Sequence, residues 1–192
     1  MNAIVDFDID LFLFLNSLNS SFLDHIMYWV SKKWTWVPFY LYLTYLVFKV
    51  HGKKGLYILL ATAILITLTD QLSVKAFKNV FERLRPCHNP EIQLLVHTVN
   101  DKCGGLYGFV SSHASNTFGL AVFIGIVLQR KFKKSVSWLL FWAFVVSYSR
   151  IYLGVHYPLD ILGGAMLGTM LGLIVFYFLR LLNTKFDLNL KL

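Results

Sequence analysis

Five apolar segments, separated by short polar and basic stretches, dominate the pattern of the chain. They run over residues 34–50, 55–72, 114–128, 136–148 and 161–182. Long apolar runs predict membrane-crossing helices, but several of these are shorter than the roughly 20 residues that a full span needs. The helices are therefore expected to extend into the polar motifs beside them. The pattern predicts an all-α fold, a polytopic membrane helix bundle with about five transmembrane helices in a single domain, residues 1–192.

The first 33 residues follow a different pattern, in which apolar and polar positions are mixed at helical spacing. This spacing predicts one or two amphipathic helices that lie at the membrane surface. A sixth span near residues 9–30 is the alternative. It would place the polar cluster at residues 16–21 near the middle of the bilayer, where polar side chains are costly.

Composition and charge agree with a membrane protein. Hydrophobic residues make up 57% of the chain and charged residues only 15%, too few to cover the surface of an ordinary soluble domain. The formal net charge of +8 would also suit a nucleic-acid-binding protein. However, the basic residues lie between apolar runs instead of along one polar face. The predicted partner is the lipid bilayer, and nucleic acid is not expected to bind.

Basic residues in three polar stretches predict which side of the bundle faces the cytoplasm. The stretches follow the first, third and fifth apolar segments, so they share one side, and an excess of positive charge marks the cytoplasmic side. Their basic residues are Lys49, Lys53, Lys54, Arg130, Lys131, Lys133, Lys134, Arg180, Lys185 and Lys191. The motifs at the opposite side are then expected to face the periplasm or the cell exterior, in a protein of the cytoplasmic membrane.

The two cysteines, Cys87 and Cys103, lie in the same outward polar interval. If that interval faces an oxidising compartment, they can form a loop-closing disulfide, and two free thiols are the alternative. No cleavable signal peptide is expected. Aspartates at positions 6, 8 and 10 stand where a basic region would precede the apolar core of such a peptide.

Residues 149–160 place reactive side chains between two apolar segments. Pro158 suits the first position of a helix, so Asp160 should lie in the first turn and accept a hydrogen bond from the His156 ring. An imidazole held by a carboxylate at a helix N-terminus, beside Arg150, suits attack on an anion such as phosphate. Taken alone, the same pattern also describes a capped helix start with a satisfied histidine.

Two further outward segments carry polar side chains of the same kind. Lys78 and Arg85 are two helical turns apart, which predicts that they share one face of a helix that Pro86 ends. At the start of the third apolar segment, Ser111, Ser112 and His113 offer a helix cap, free backbone N–H groups and a proton donor. Each segment alone also fits interface anchoring or ordinary capping. All three segments lie on the same side of the bundle, which favours one phosphate-binding pocket.

The three segments together resemble the type 2 phosphatidic acid phosphatase (PAP2) superfamily. That family has the signature Lys-x6-Arg-Pro, Pro-Ser-Gly-His and Ser-Arg-x5-His-x3-Asp. Here the matching segments are Lys78-x6-Arg85-Pro86, Ser111-Ser112-His113 and Ser149-Arg150-x5-His156-x3-Asp160. The middle segment departs from the signature, because Val110 stands in place of the proline and Ser112 in place of the glycine.

The resemblance implies a phosphatase that needs no metal or other cofactor and forms a covalent phosphohistidine. His156 would be the nucleophile, Asp160 would orient it, and His113 would protonate the leaving group and then activate water. The remaining motif residues would hold the phosphate oxygens: Lys78, Arg85, Ser111, Ser112 and Arg150.

The expected substrate is a membrane lipid phosphate whose tail stays in the bilayer. Undecaprenyl pyrophosphate is the first choice, with phosphatidylglycerol phosphate, phosphatidic acid and lipid A phosphates as competitors. A vanadate-dependent haloperoxidase would share the oxyanion pocket, but the membrane spans argue against it. A non-catalytic lipid-phosphate binder or transporter is the other alternative, and it would tolerate the loss of His156. The sequence contains no signal for the oligomeric state.

Overall fold

Helices make up the body of the protein in a computed structural model, which describes residues 3–100 and 102–192. In chain order they are α1 (Ala3–Ser17), α2 (Ser21–Ser31), α3 (Val37–His51), α4 (Gly55–Leu72), α5 (Asn79–Phe81), α6 (Ser112–Gln129), α7 (Ser135–Tyr152) and α8 (Pro158–Lys185). A π-helical segment, Ser73–Lys78, joins α4 to α5, and 3-10 turns occur at Lys33–Trp36, Gly52–Lys54, Pro86–His88 and Gln93–Leu95. No β-strand occurs in the described residues, so the all-α prediction is confirmed.

Each of the five predicted apolar segments corresponds to one long helix: α3, α4, α6, α7 or α8. Two helical stretches are long and apolar enough to cross a membrane. They are Lys33–Phe81, which holds α3 and α4, and Pro158–Lys185. Large apolar side chains stay exposed on the outer faces of the bundle, for example Leu41, Leu60, Phe141, Met166 and Phe178. Such a surface favours contact with lipid. The exact number of spans stays a prediction.

Helix α6 lies at the centre of the bundle, with most of its side chains buried, and α8 packs directly on it. Small residues allow this close approach, because glycines recur every fourth residue along one face of α8. A Cβ atom at Gly172 would lie 2.8 Å from the Gly119 carbonyl oxygen of α6, and one at Gly168 would meet the Ser115 carbonyl. The packing aligns the N-termini of both helices, so that the Ser111 amide donates to the Asp160 carbonyl at 3.0 Å.

The N-terminal region forms two helices, as predicted, and α1 packs against the rest of the bundle. Its buried side chains are Asp8, Phe12 and Asn16, which share one helix face. The Asn16 amide donates to the Ile151 and Tyr152 carbonyls at 3.1 and 2.9 Å, which attaches α1 to the end of α7. Between the two helices, Ser20 caps α2. The polar cluster therefore lies where the chain breaks between α1 and α2.

The two ends of the bundle differ in chemistry. At one end, Lys49, Arg130, Lys131 and Lys191 line one cleft, so the basic turns share one side as predicted. At the other end lie the C-terminal end of α7, the N-termini of α6 and α8, and the π-helical segment. The three motifs are therefore brought together at the end opposite the basic turns.

Candidate active site

The start of α8 holds a histidine against a carboxylate. Pro158 opens the helix and Asp160 lies in its first turn, as predicted. One oxygen of Asp160, Oδ2, accepts from the Tyr157 backbone amide at 3.0 Å and lies 3.3 Å from His156 Nδ1. Both side chains are buried, with 2% of His156 and none of Asp160 exposed. An ionised Asp160 requires a proton on Nδ1, which leaves the lone pair of Nε2 available for bonding.

The surroundings of His156 favour its neutral form. Burial, together with the positive charges of Arg85, Arg150 and Lys78, holds the pKa of His156 well below its usual range. An imidazole has a lone pair to donate only when it is neutral. The site therefore keeps His156 in the form that a nucleophile requires at neutral pH.

Lys78 ends the π-helical segment that follows α4. Wide turns of this kind often occur at functional sites. Its ammonium group donates to the Ser112 hydroxyl at 2.8 Å, and that hydroxyl also lies 2.7 Å from the Ser73 hydroxyl. Ser112 is the residue that replaces the glycine of the family signature. In this chain the substitution supplies a hydroxyl that holds Lys78 at the N-terminus of α6.

The prediction that Lys78 and Arg85 share one helix face is wrong. The helix ends at Phe81, and Glu82 then adopts a left-handed conformation with φ of 45°. Arg85 is extended, and Pro86 opens a separate 3-10 turn. Tertiary contacts place the Arg85 side chain instead. Its guanidinium donates from Nε to the Tyr107 carbonyl and from Nη1 to the Cys103 carbonyl, both at 3.2 Å.

The middle motif caps the central helix. Ser111 is the N-cap of α6, and its hydroxyl accepts from the Ala114 amide. His113 lies in the first turn, where Arg150, His156, Lys78 and Arg85 are close enough to interact with its ring electrostatically. Because Ser111 is fully buried and already bonded, it contributes to the site through the helix start that it fixes.

Arg150, near the end of α7, completes the set of cations. Its Nη1 donates to the Ser31 hydroxyl of α2, and its buried Nε has no hydrogen-bond partner in the described structure. Arg150 also lines a cleft of about 240 Å³ between α2 and the loop that contains Cys103. An anion in this cleft would therefore lie against Arg150.

All the candidate residues from the sequence therefore lie at one end of the bundle. The positive charges of Lys78, Arg85 and Arg150 interact electrostatically with the His156 ring, and the same three charges interact with the His113 ring. The arrangement provides a neutral imidazole, a second histidine and three positive charges around one small volume. Such a set can bind a phosphate group and stabilise the charge that develops on it during transfer.

Sequence reasoning missed two charged residues of the site. Arg83 is held between Asp160, at 3.0 Å, and Asp8 of α1, at 2.7 Å. Asp8, Phe12 and Asn16 recur every four residues along α1. That spacing places two polar side chains on the face that Phe12 buries. This spacing is the feature of the sequence that could have predicted that this face of α1 packs against protein.

The loop between α5 and α6 closes over the site through a disulfide. Cys87 and Cys103 are bonded, with their Cα atoms 5.9 Å apart. The Cys103 carbonyl accepts from Arg85, and the Gly108 amide donates to the Arg83 carbonyl at 2.8 Å. The crosslinked loop therefore holds both arginines of the first motif in place.

Loss of this crosslink is expected to lower both stability and activity. A disulfide that closes a loop with a sequence separation of 16 stabilises the fold by about 3 kcal/mol. The double variant Cys87→Ser/Cys103→Ser should therefore unfold at a lower temperature in detergent and release phosphate more slowly, because Arg85 loses a fixed partner. Mass spectrometry after thiol alkylation without reductant checks the bond in the wild type, where two alkylated cysteines would contradict it.

Known proteins are similar to this chain in sequence and in fold. The PAP2 superfamily model matches residues 54–183. A lipid A 4′-phosphatase from Bacteroides thetaiotaomicron is 43% identical over 177 residues, which cover 91% of this chain and 77% of that protein. An undecaprenyl-diphosphatase from Sulfolobus acidocaldarius is 32% identical over 172 residues, covering 86% of this chain and 75% of that protein.

A crystal structure of a transmembrane PAP2-type phosphatidylglycerolphosphate phosphatase from Bacillus subtilis has the same fold. Its TM-score is 0.69 at 24% sequence identity, with 94% of this chain and 88% of that chain covered. The family match spans more than half of this chain, and both relatives exceed 30% identity over most of its length. The chain therefore belongs to the PAP2 superfamily and is a phosphatase of the PAP2 type.

Proposed function

We propose that the protein hydrolyses a phosphate group from a membrane lipid through a covalent intermediate on His156, without a metal ion. The observation that carries this proposal is the His156–Asp160 pair, buried among three cations. The Asp160 carboxylate fixes the ring and stabilises the imidazolium that forms on transfer. Lys78, Arg85 and Arg150 would supply the positive charge that many phosphate-transfer sites obtain from magnesium.

The first step transfers the phosphoryl group to the enzyme. His156 Nε2 donates its lone pair to phosphorus, the N–P bond forms, and the bond from phosphorus to the lipid oxygen breaks. That oxygen leaves with the electron pair and takes a proton from His113. Membership of the family and the position of His113 in the first turn of α6, close enough to His156 for the two rings to interact electrostatically, support this role.

The second step returns the enzyme to its starting state. His113, now neutral, takes a proton from water, and the resulting hydroxide attacks phosphorus. The N–P bond breaks, its electron pair returns to His156, and inorganic phosphate leaves. Over both steps one water molecule is consumed and one phosphate is released, so no cofactor is required.

The substrate we propose first is a lipid A phosphate, because the lipid A 4′-phosphatase is more similar to this chain than the undecaprenyl-diphosphatase is. Undecaprenyl pyrophosphate, the first choice from sequence, becomes the second candidate, and the 32% identical relative supports it. Both lipids keep their tails in the bilayer and their phosphates at its surface. We also propose that the site faces outward from the cytoplasmic membrane, because the basic turns lie at the opposite end.

A phosphate-release assay in detergent tests this proposal. The purified protein is incubated with EDTA and separately with lipid A, undecaprenyl pyrophosphate, phosphatidylglycerol phosphate and phosphatidic acid, and mass spectrometry identifies each product. We expect EDTA-resistant release, fastest with lipid A. A requirement for added magnesium would contradict the mechanism. Failure with every lipid would favour a binder, and faster hydrolysis of undecaprenyl pyrophosphate would reverse the order of substrates.

A further inference from the structure

One guanidinium group joins two carboxylates that are far apart in the sequence. Arg83 Nη2 lies 2.7 Å from Asp8 Oδ2, and Arg83 Nη1 lies 3.0 Å from Asp160 Oδ1. Asp8 is only 1% exposed and Asp160 is fully buried. Arg83 occupies an unspecified position of the first motif, and Asp8 lies outside residues 54–183, which the family model matches.

The remaining bonds fix the geometry of this bridge. The second oxygen of Asp8, Oδ1, accepts from the Leu159 amide at 2.9 Å, at the start of α8. The Arg83 guanidinium also lies over the Tyr157 ring, 4.0 Å from its centroid. A planar guanidinium bonds two carboxylates through separate nitrogens while its face stacks on a ring, and a lysine ammonium does not reproduce this planar geometry. The bridge therefore holds Oδ1 of Asp160, while Oδ2 of the same carboxylate faces His156.

The bridge also contributes to the electrostatic field at Asp160. Asp8, Arg83 and Asp160 carry alternating charges, and His156 follows them in the same chain of contacts. The charged and titratable groups that face Asp160 are Asp8 from α1, Lys78, Arg83 and Arg85 from the first motif, and His156 and Tyr157 from the start of α8. Arg83 is the cation bonded directly to Asp160, and Asp8 partly offsets its charge.

We propose that Arg83 and Asp8 are positioning residues, which set the orientation and the charge of Asp160 and through it the reactivity of His156. This inference rests on the proposed function, in which His156 is the nucleophile. It gives α1 a part in the reaction, because Asp8 is the residue through which α1 reaches the catalytic pair.

The proposal predicts opposite effects of two substitutions on pH dependence. In Arg83→Gln, Asp160 loses its nearest cation. A proton then binds the His156–Asp160 pair more readily, and the acidic limb of the kcat/KM profile moves up by about one pH unit. In Asp8→Asn, the pair loses a neighbouring negative charge, so the limb moves down, by about half a unit because Asp8 is farther away. At pH 7, Arg83→Gln should also lower kcat/KM by about 10- to 100-fold.

The experiment measures kcat/KM against pH for both variants, with the lipid that the wild type hydrolyses fastest. The matched control is Asp10→Asn, an exposed aspartate on the same helix, which should keep the wild-type profile. Arg83→Lys keeps the charge without the fork, so it should keep the wild-type midpoint at a lower kcat. If Arg83→Gln does not fold, Arg83→Lys and Asp8→Asn still test the proposal.

A second measurement does not depend on turnover. Nitrogen-15 NMR of labelled histidine in detergent gives the titration midpoint of His156, whose signal is identified by its loss in His156→Gln. The midpoint should rise in Arg83→Gln and fall in Asp8→Asn. Unchanged midpoints, or shifts in the same direction, would overturn the inference even if the enzyme is active. A wild type that hydrolyses no lipid would instead overturn the proposed function, and the NMR result would still decide the roles of Arg83 and Asp8.

Discussion

Replacement of His156 by glutamine is expected to abolish phosphate release from every lipid substrate. Glutamine nearly preserves the volume of this buried side chain, so the fold should remain intact. However, an amide nitrogen has no available lone pair, and the covalent intermediate cannot form. The measurement is phosphate release over time, with the thermal unfolding temperature recorded to confirm that the variant is folded.

The matched control for this substitution is His25→Gln. His25 is an exposed histidine on α2, so its replacement should leave the rate unchanged. A rapid acid-free quench of the wild type should also trap phosphate on His156, and the variant should trap none. Substantial turnover by His156→Gln would show that phosphate is transferred directly to water, and the two-step mechanism would then be wrong.

Replacement of Lys78 by methionine is expected to lower kcat by roughly 100- to 1,000-fold, the usual cost of removing one fixed donor from a transition-state site. Methionine retains most of the length of lysine but loses the positive charge. It also frees the Ser112 hydroxyl, which accepts from Lys78 at 2.8 Å. Steady-state kinetics should show a fall in kcat that exceeds any rise in KM, because charge on the phosphate oxygens is greatest in the transition state.

Lys75→Met provides the control for Lys78→Met. Lys75 belongs to the same π-helical segment but is exposed, so its loss should change kcat little. An equal fall in both variants would indicate that the substitutions act by disturbing the segment. A rise in KM alone for Lys78→Met would make Lys78 a substrate-binding residue without a part in the transition state.

The contacts that the sequence predicted well are local ones. His156 and Asp160 are four residues apart, and Pro158 sets the start of a helix between them, so chain geometry alone brings the ring to the carboxylate. The five apolar segments could be recognised because a hydrophobic run is visible in the sequence alone, without knowledge of the segments it packs against. The prediction from helical spacing was wrong for Arg85, because the turn at Glu82 ends the helix before it reaches that residue.

By itself, the sequence determined the helical class, the grouping of three motifs at one end of the bundle, and the residue types that can bind and transfer phosphate. These depend on periodicity and on spacings of a few residues. Only the tertiary structure decided that Arg83 joins Asp8 of α1 to Asp160. Arg83 is 75 residues from Asp8 and 77 residues from Asp160 along the sequence. Packing of α1 against α7 and α8 brings these groups together, and no local pattern in the chain encodes which buried carboxylate will meet which guanidinium.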